Sequence, residues 1–217
     1  VNPEQARFVL LKHADQLEDE RDNLLSNLRP YSTVTGRHLA EIVAALHALT
    51  PELSSGIWLD RQIVHSVWSI CRYARLWTIG PREPMFHGKD FIPPDRKSML
   101  DDWIKEIESI ILLLTRNPDP ENWSRFAGVS WYVSKHRLQS EAECLIPAFV
   151  EFLEGYLANQ ADYFDPSEAI YTCQALASIG PTAVDAMTIL RRIEAETRFD
   201  ELKLAAAEAL AVISELD

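Results

Sequence analysis

Glycine is scarce in this chain, with seven among 217 residues. Scarce glycine beside plentiful Leu, Ala and Glu leans towards helix, because glycine is costly inside helices and the other three are good formers. Cysteine is scarcer still. Cys71, Cys144 and Cys173 are odd in number, lack C-x-x-C spacing and sit in apolar helical contexts. We therefore expect buried free thiols in a reducing, cytoplasmic setting, with neither disulfides nor zinc. No apolar run reaches the roughly 18 residues that a membrane span needs, so no membrane partner is expected. No signal-peptide pattern opens the chain, and a start at Val1 rather than Met leads us to expect that the natural N-terminus lies upstream.

Catalytic motifs are lacking as well. There is no Gly-x-Ser-x-Gly elbow, no Walker loop, no Gly-x-Gly-x-x-Gly and no His-Glu-x-x-His. Six histidines are present, yet pairs one turn apart, such as His38 with Glu41 or Tyr132 with His136, do not build a metal set. Acid pairs (Asp101-Asp102, Glu106 and Glu108, Glu194 and Glu196) fall in helical runs that are ordinarily rich in carboxylates. We assign no catalytic residue, no metal ligand and no cofactor.

Positive charge is also in short supply: 21 Lys and Arg against 33 Asp and Glu, a net charge of −12. This argues against nucleic acid as a partner for the surface as a whole, since phosphate backbones are met by clustered Lys and Arg. The imbalance is uneven. Residues 139–217 hold 4 basic and 15 acidic side chains, whereas 57–89 hold 5 basic and 2 acidic. A mildly basic middle adjoins a strongly acidic C-terminal third.

What is present is helical periodicity. Apolar residues recur at spacings of three and four almost throughout, and no long stretch alternates with period two. The pattern predicts an all-α chain of about nine helices: 3–28, 35–49, 58–79, 96–116, 120–137, 142–158, 166–179, 181–197 and 200–216. Their breaks fall at Arg29-Pro30, Thr50-Pro51, Gly80-Pro81, Asn117-Pro118-Asp119-Pro120, Asp165-Pro166 and Gly180-Pro181. Proline suits a first turn, neighbouring Asp or Ser can cap free N–H groups, and Gly80 and Gly180 fit the left-handed position that ends a helix.

The chain also repeats itself. A shift of 34 residues lays Pro147 on Pro181, Val150 on Val184, Leu153 on Met187, Ala175-Leu176 on Ala209-Leu210 and Ile179 on Ile213. A constant offset across two consecutive helices implies a repeated helix pair, which buries its apolar stripes against neighbouring copies. Asp165-Pro166-Ser167-Glu168 leading to Ala175-Leu176-Ala177-Ser178-Ile179-Gly180-Pro181, followed by Asp200-Glu201-Leu202-Lys203 leading to Ala209-Leu210 and Ile213, resembles the second helices of HEAT repeats. The resemblance is good over 145–217 and weak over 31–140, where Trp123, Phe126, Trp131 and Tyr132 stand in place of the family's small residues. It implies a HEAT-like α-α superhelix across 1–217. Residues 1–30 would form a capping helix, 31–140 divergent pairs with an insertion at 82–95, and 141–217 two regular pairs. The insertion, with three prolines and two phenylalanines, reads as an ordered loop over a core edge or as a binding loop.

One helix combines a buried stripe with an unusual outer face. At 100° per residue, Ile63, Val67, Ile70 and Ala74 fall together in 58–79, while Arg61, His65, Trp68, Arg72 and Arg75 fall opposite within an arc of about 80°. Three guanidiniums, an imidazole and an indole suit an acidic or aromatic partner. The blander alternative is that the arginines pair with acids of neighbouring helices. In the HEAT family such second helices line the concave side, and the next one adds Arg125, Trp131 and Lys135.

The expected function is thus non-catalytic binding of a partner protein or peptide through a concave face. One version is an immunity or antitoxin protein whose acidic surface covers a basic nuclease. The alternative is a HEAT-like DNA glycosylase for alkylated bases, a family whose concave face carries Trp, Arg and a catalytic Asp. Here the two face-forming helices offer only Asp60, at a helix start, and the net charge is wrong for DNA.

Overall fold

The computed structural model describes residues 2–17, 22–28, 34–55, 60–78, 92–116, 127–160 and 165–214, and among them every regular element is helical. The all-α expectation holds. The chain packs as two compact units, Val1–Pro120 and Glu121–Asp217. No described helix is long and apolar enough to cross a membrane.

In the first unit, α1 (Pro3–His13) opens with a reciprocal cap. Asn2 Oδ1 accepts from the Gln5 N–H at 2.9 Å, and Gln5 Oε1 accepts from the Asn2 N–H at 3.0 Å. Two otherwise orphaned donors are satisfied at once. The pattern predicts one helix over 3–28, but α1 stops at His13 and a separate short helix, α2 (Leu24–Leu28), follows. The stop is a left-handed turn at Asp15, φ 56°. The Gln16 N–H reaches back to Leu11 O (3.1 Å) and the Asp15 N–H to Lys12 O (3.0 Å), the bonding that usually marks a glycine-ended helix. A sequence rule tuned to glycine passes over an aspartate doing the same task.

Helices α3 (Gly36–Ala48), α4 (Thr50–Ser55), α5 (Arg61–Thr78) and α6 (Pro94–Arg116) complete the unit. Helix α1 packs on α3 and α5; α5 also meets α2 and α6; α6 closes over α3 and α4. Leu10, Leu39, Ile42, Leu46, Ile70, Leu100, Trp103, Ile104 and Ile107 are fully enclosed between them. Residues 82–91 of the insertion lie outside the described residues, as do Gly80 and 120–126.

The second unit is layered. Helix α7 (Ala127–His136), assigned from sequence to the divergent pairs of 31–140, packs here against α9 (Ser167–Ile179), and α9 packs on α11 (Asp200–Ser214). A second row is formed by α8 (Ile146–Ala158) against α10 (Met187–Glu196), each lying on a member of the first row. Helix α7 ends on Arg137, φ 51°, with the Leu138 N–H bonded to Val133 O (3.2 Å) and the Arg137 N–H to Ser134 O (3.2 Å), the same glycine-free turn as at Asp15. At the Asp165-Pro166 turn the capping expectation holds: Asp165 Oδ1 accepts from the N–H of Ser167 at 2.9 Å and from its hydroxyl at 2.6 Å. Those bonds hold the Asp165 carboxyl below its ordinary value.

Short 3-10 stretches, Gln139–Leu145 and Gly180–Ala186, lead into α8 and α10. They change the register of the repeat. The 34-residue offset carries α9 onto α11, with Ala175 and Ile179 buried as are Ala209 and Ile213. It does not carry α8 onto α10, for Pro147 lies in the first turn of α8 while Pro181 lies in the 3-10 stretch before α10. Proline fits both places because neither needs its missing N–H.

Gly180 ends α9 with φ 82° and ψ −148°: φ is positive as expected, but ψ lies outside the left-handed helical well, in a region that essentially only glycine enters, and nothing lies within 4 Å of where its β-carbon would be. Gly180→Ala should therefore destabilise through backbone strain alone, by about 1–3 kcal/mol, read as a lower urea midpoint with unchanged slope. A neutral or stabilising substitution would contradict that backbone geometry.

Candidate interaction surface

Helix α5 is oriented as its sequence predicts. Ile63, Val67, Ile70 and Ala74 are buried, and Arg61, His65, Trp68 and Arg72 are exposed, the Trp68 residue by 51%. The inner side is closed further by Ser66 and Ser69, both buried, with the Ser66 hydroxyl donating back to Gln62 O at 2.8 Å. A small hydroxyl that bonds within its own helix can face a core without leaving an unsatisfied group.

The outer face is an aromatic and cationic cluster centred on Trp68. The Arg72 guanidinium carbon stands 4.9 Å from the ring centroid, His65 lies at 6.5 Å and Tyr73 meets it edge-on at 6.4 Å. Arg72 is held by a cation–π contact that is worth about 0.5–1 kcal/mol at an exposed site. Among the described residues no carboxylate pairs with Arg61 or Arg72. His65 Nδ1 accepts from the Gln16 side-chain amide at 2.8 Å, which leaves the other ring nitrogen to carry the proton in the neutral state.

Arg75 departs from the group. Its Nε donates to Glu108 Oε1 of α6 at 2.8 Å and its Nη2 donates to the second oxygen, so it clamps α5 to α6 rather than presenting a free guanidinium. For this one arginine, the blander alternative holds. Asp60 is also occupied structurally. It accepts from the Gln62 N–H at 2.8 Å, which caps α5, and from Arg7 Nε at 3.5 Å.

Of the remaining candidates, Arg125 lies outside the described residues. Trp131 and Lys135 lie on α7 in the second unit, where Lys135 Nζ sits 4.3 Å from the Trp131 ring centroid and Trp131 is 38% exposed. Tyr132 packs against Trp131 at 4.8 Å and stacks on His136 at 6.5 Å, which accounts for the bulky residues there as a local aromatic ladder.

Two features of the first unit escape the wheel analysis. Val64 and Leu76 are exposed by 46% and 57% and widen the apolar part of the α5 face. Their signal was available, since both lie within about 80° of Trp68 at 100° per residue. The second is a polar cluster joining His13, His38, Glu41 and Asp22, whose members come from three separate segments, so that the spacing of His38 and Glu41 on α3 gives no sign of the other two. Among the described residues no group of three or more His, Cys, Asp and Glu has the arrangement of a metal site.

Compared with protein-family models, curated proteins and solved structures, the chain matches none.

Burial pushes the Cys71 thiol, on the inner side of α5, up to about 12, with the Glu108 carboxylate adding to the effect. Burial alone takes Cys173 to about 12 as well. Both should resist a thiol reagent such as dithionitrobenzoate at pH 8 in the folded protein and react promptly in denaturant. Fast labelling of Cys71 without unfolding would show that the inner side of α5 is open.

Proposed function

We propose that the chain is a non-catalytic interaction module built of HEAT-like helix pairs, and that the exposed face of α5 engages an acidic, aromatic-bearing segment of a partner protein. The observation that carries this reading is Trp68, half exposed between His65 and Arg72, next to two arginines that no described carboxylate neutralises. A desolvating contact on an indole strengthens cation–π and ion-pair terms around it, so Trp and Arg side by side are the residue types expected at the centre of a protein interface. The two rows of helices in the second unit, α7–α9–α11 and α8–α10, support the helix-pair architecture. Charge favours an acidic partner segment at this one face and disfavours a long polyanion, which the net charge of −12 would repel. The employment of Asp60 in capping and in the Arg7 contact counts against the glycosylase alternative, which needs a carboxylate directed at a base.

The test uses defined probes: a synthetic Asp/Glu-rich peptide with one Phe or Trp, a charge-reversed control peptide, and duplex DNA. Only the acidic peptide should bind, with affinity that falls as salt rises. Paired Arg61→Glu and Arg72→Glu substitutions should weaken it by about tenfold, and Trp68→Ala should do so at constant salt dependence. Equal affinity of wild type and both variants, or salt-dependent binding to DNA, would remove the proposal.

A further inference from the structure

Outside the α5 face, the densest polar feature is the cluster where α1, α3 and the segment before α2 meet. His13 is completely buried. Its Nε2 lies 3.0 Å from Glu41 Oε2, and its Nδ1 accepts from the main-chain N–H of Leu24 at 3.2 Å. The backbone donor fixes the tautomer: Nδ1 must offer its lone pair, so the single proton of the neutral ring sits on Nε2 and is donated to Glu41. His38, edge-on to His13 at 5.7 Å, repeats the arrangement. Its Nδ1 accepts from the Thr35 N–H at 3.2 Å and its Nε2 faces Asp22 Oδ1 at 3.0 Å. Both rings thus hold the same segment, one by the Leu24 amide and the other by the Asp22 carboxylate. Asp15 adds a third tie, accepting from Asn23 Nδ2 at 3.2 Å and from the Ser26 hydroxyl at 2.8 Å.

We infer that His13 is a proton-operated latch: a second proton on its ring, at Nδ1, sets donor against donor at Leu24 and frees the 22–28 segment from α1 and α3. The two rings differ in what stands at Nδ1. Beside His38 Nδ1 stands the Thr35 hydroxyl at 3.3 Å, which can turn to accept. Among the described residues, His13 Nδ1 meets the Leu24 main-chain N–H with no hydroxyl beside it, and a main-chain N–H cannot accept. Because α2 packs on α5, release of the segment uncovers one flank of the helix that carries Trp68.

The charges around His13 set the direction. From α3 it meets Glu41 and His38, and on its own helix Lys12; Arg37 reaches Glu41, Asp22 reaches His38, and Asp15 is taken up by Asn23 and Ser26. Helix α2 carries no titratable side chain, and none of the charges that act on His13 comes from α5, whose His65 is bonded to Gln16 and whose Arg75 is bonded to Glu108. Glu41 is already matched by Lys12 Nζ at 3.3 Å and Arg37 Nε at 2.7 Å, so a cationic His13 is an added buried charge and not the missing half of a pair. Burial lowers His13 below its ordinary 6.5, the Glu41 contact opposes this, and Lys12 and His38 reinforce it. Burial alone would raise the Glu41 carboxyl, but the hydrogen bonds from His13 and Arg37 and the charge of Lys12 hold it far below the ordinary value. Glu41 therefore stays ionised throughout the window in which His13 titrates. A histidine whose value is lowered by folding contributes stability that is complete above 6.5 and declines as pH falls towards its folded value.

Hydrogen–deuterium exchange of the Leu24–Leu28 amides, corrected for intrinsic rates, reads the latch in the intact chain. Between pH 7.5 and 5.5 the segment should open more readily by up to about tenfold, the gain setting in below 6.5 and levelling off at the folded value. His13→Asn, whose side-chain oxygen can still accept from Leu24, should flatten this dependence, while His38→Gln should retain it. Should the Asn variant fail to fold, the His13 ring titration followed by NMR in the wild type must coincide with loss of Leu24 protection. Protection that stays constant while His13 titrates, or a pH dependence that persists in His13→Asn, would overturn the inference. The peptide-binding assay at α5 is independent of this readout, so either proposal can fail alone.

Discussion

Helix α5 has neighbours on α1, α2 and α6, and its position among them is set by the burial of Ile63, Val67, Ile70 and Ala74. Each such side chain contributes on the order of 1–3 kcal/mol when taken out of water, alanine less, and the four lie on one side of the helix. Turning α5 by half a rotation would expose all four and drive two arginines and a tryptophan into an apolar interior. Charge burial without partners is far more costly than the loss of a few contacts. The outward direction of Arg61, His65, Trp68 and Arg72 follows from that constraint without any further interaction to hold it.

Contacts between helices then divide the outer residues by role. Arg75 lies close enough to α6 to meet Glu108 with both nitrogens, and so becomes a clamp. Arg72, one turn earlier, rests on an indole instead. The difference is one of reach across the helix pair. It leaves a smaller, more aromatic face than the five-residue ridge, flanked by Val64 and Leu76. Such a face gains more from desolvation by a partner than an all-arginine one, since ion pairs in open water contribute little.

The ends of helices follow a related logic. Asp15 and Arg137 each take the left-handed conformation that glycine adopts most easily, and each pairs the last carbonyls of its helix with the following N–H groups. The backbone cost of about 1–2 kcal/mol is offset locally at Asp15, where the carboxylate receives both Asn23 and Ser26. The same turn that ends α1 thus positions the segment held by His13 and His38.

How much of this was legible in the residues depends on range. Helical class, the wheel of α5, the positive φ of Gly180 and the Asp165 cap are all written within a few neighbouring positions, because 3.6-residue periodicity and capping act over one or two turns. The break after His13 was local too, but it was hidden by the absence of glycine. Three matters were settled only in three dimensions: the pairing of Arg75 with Glu108, thirty-three positions away, the meeting of His13 with Glu41 and Leu24, and the register in which α8 faces α10. A side chain's intrinsic chemistry names the partners it can accept, but which of many acids or amides comes within 3 Å is decided by how whole helices pack.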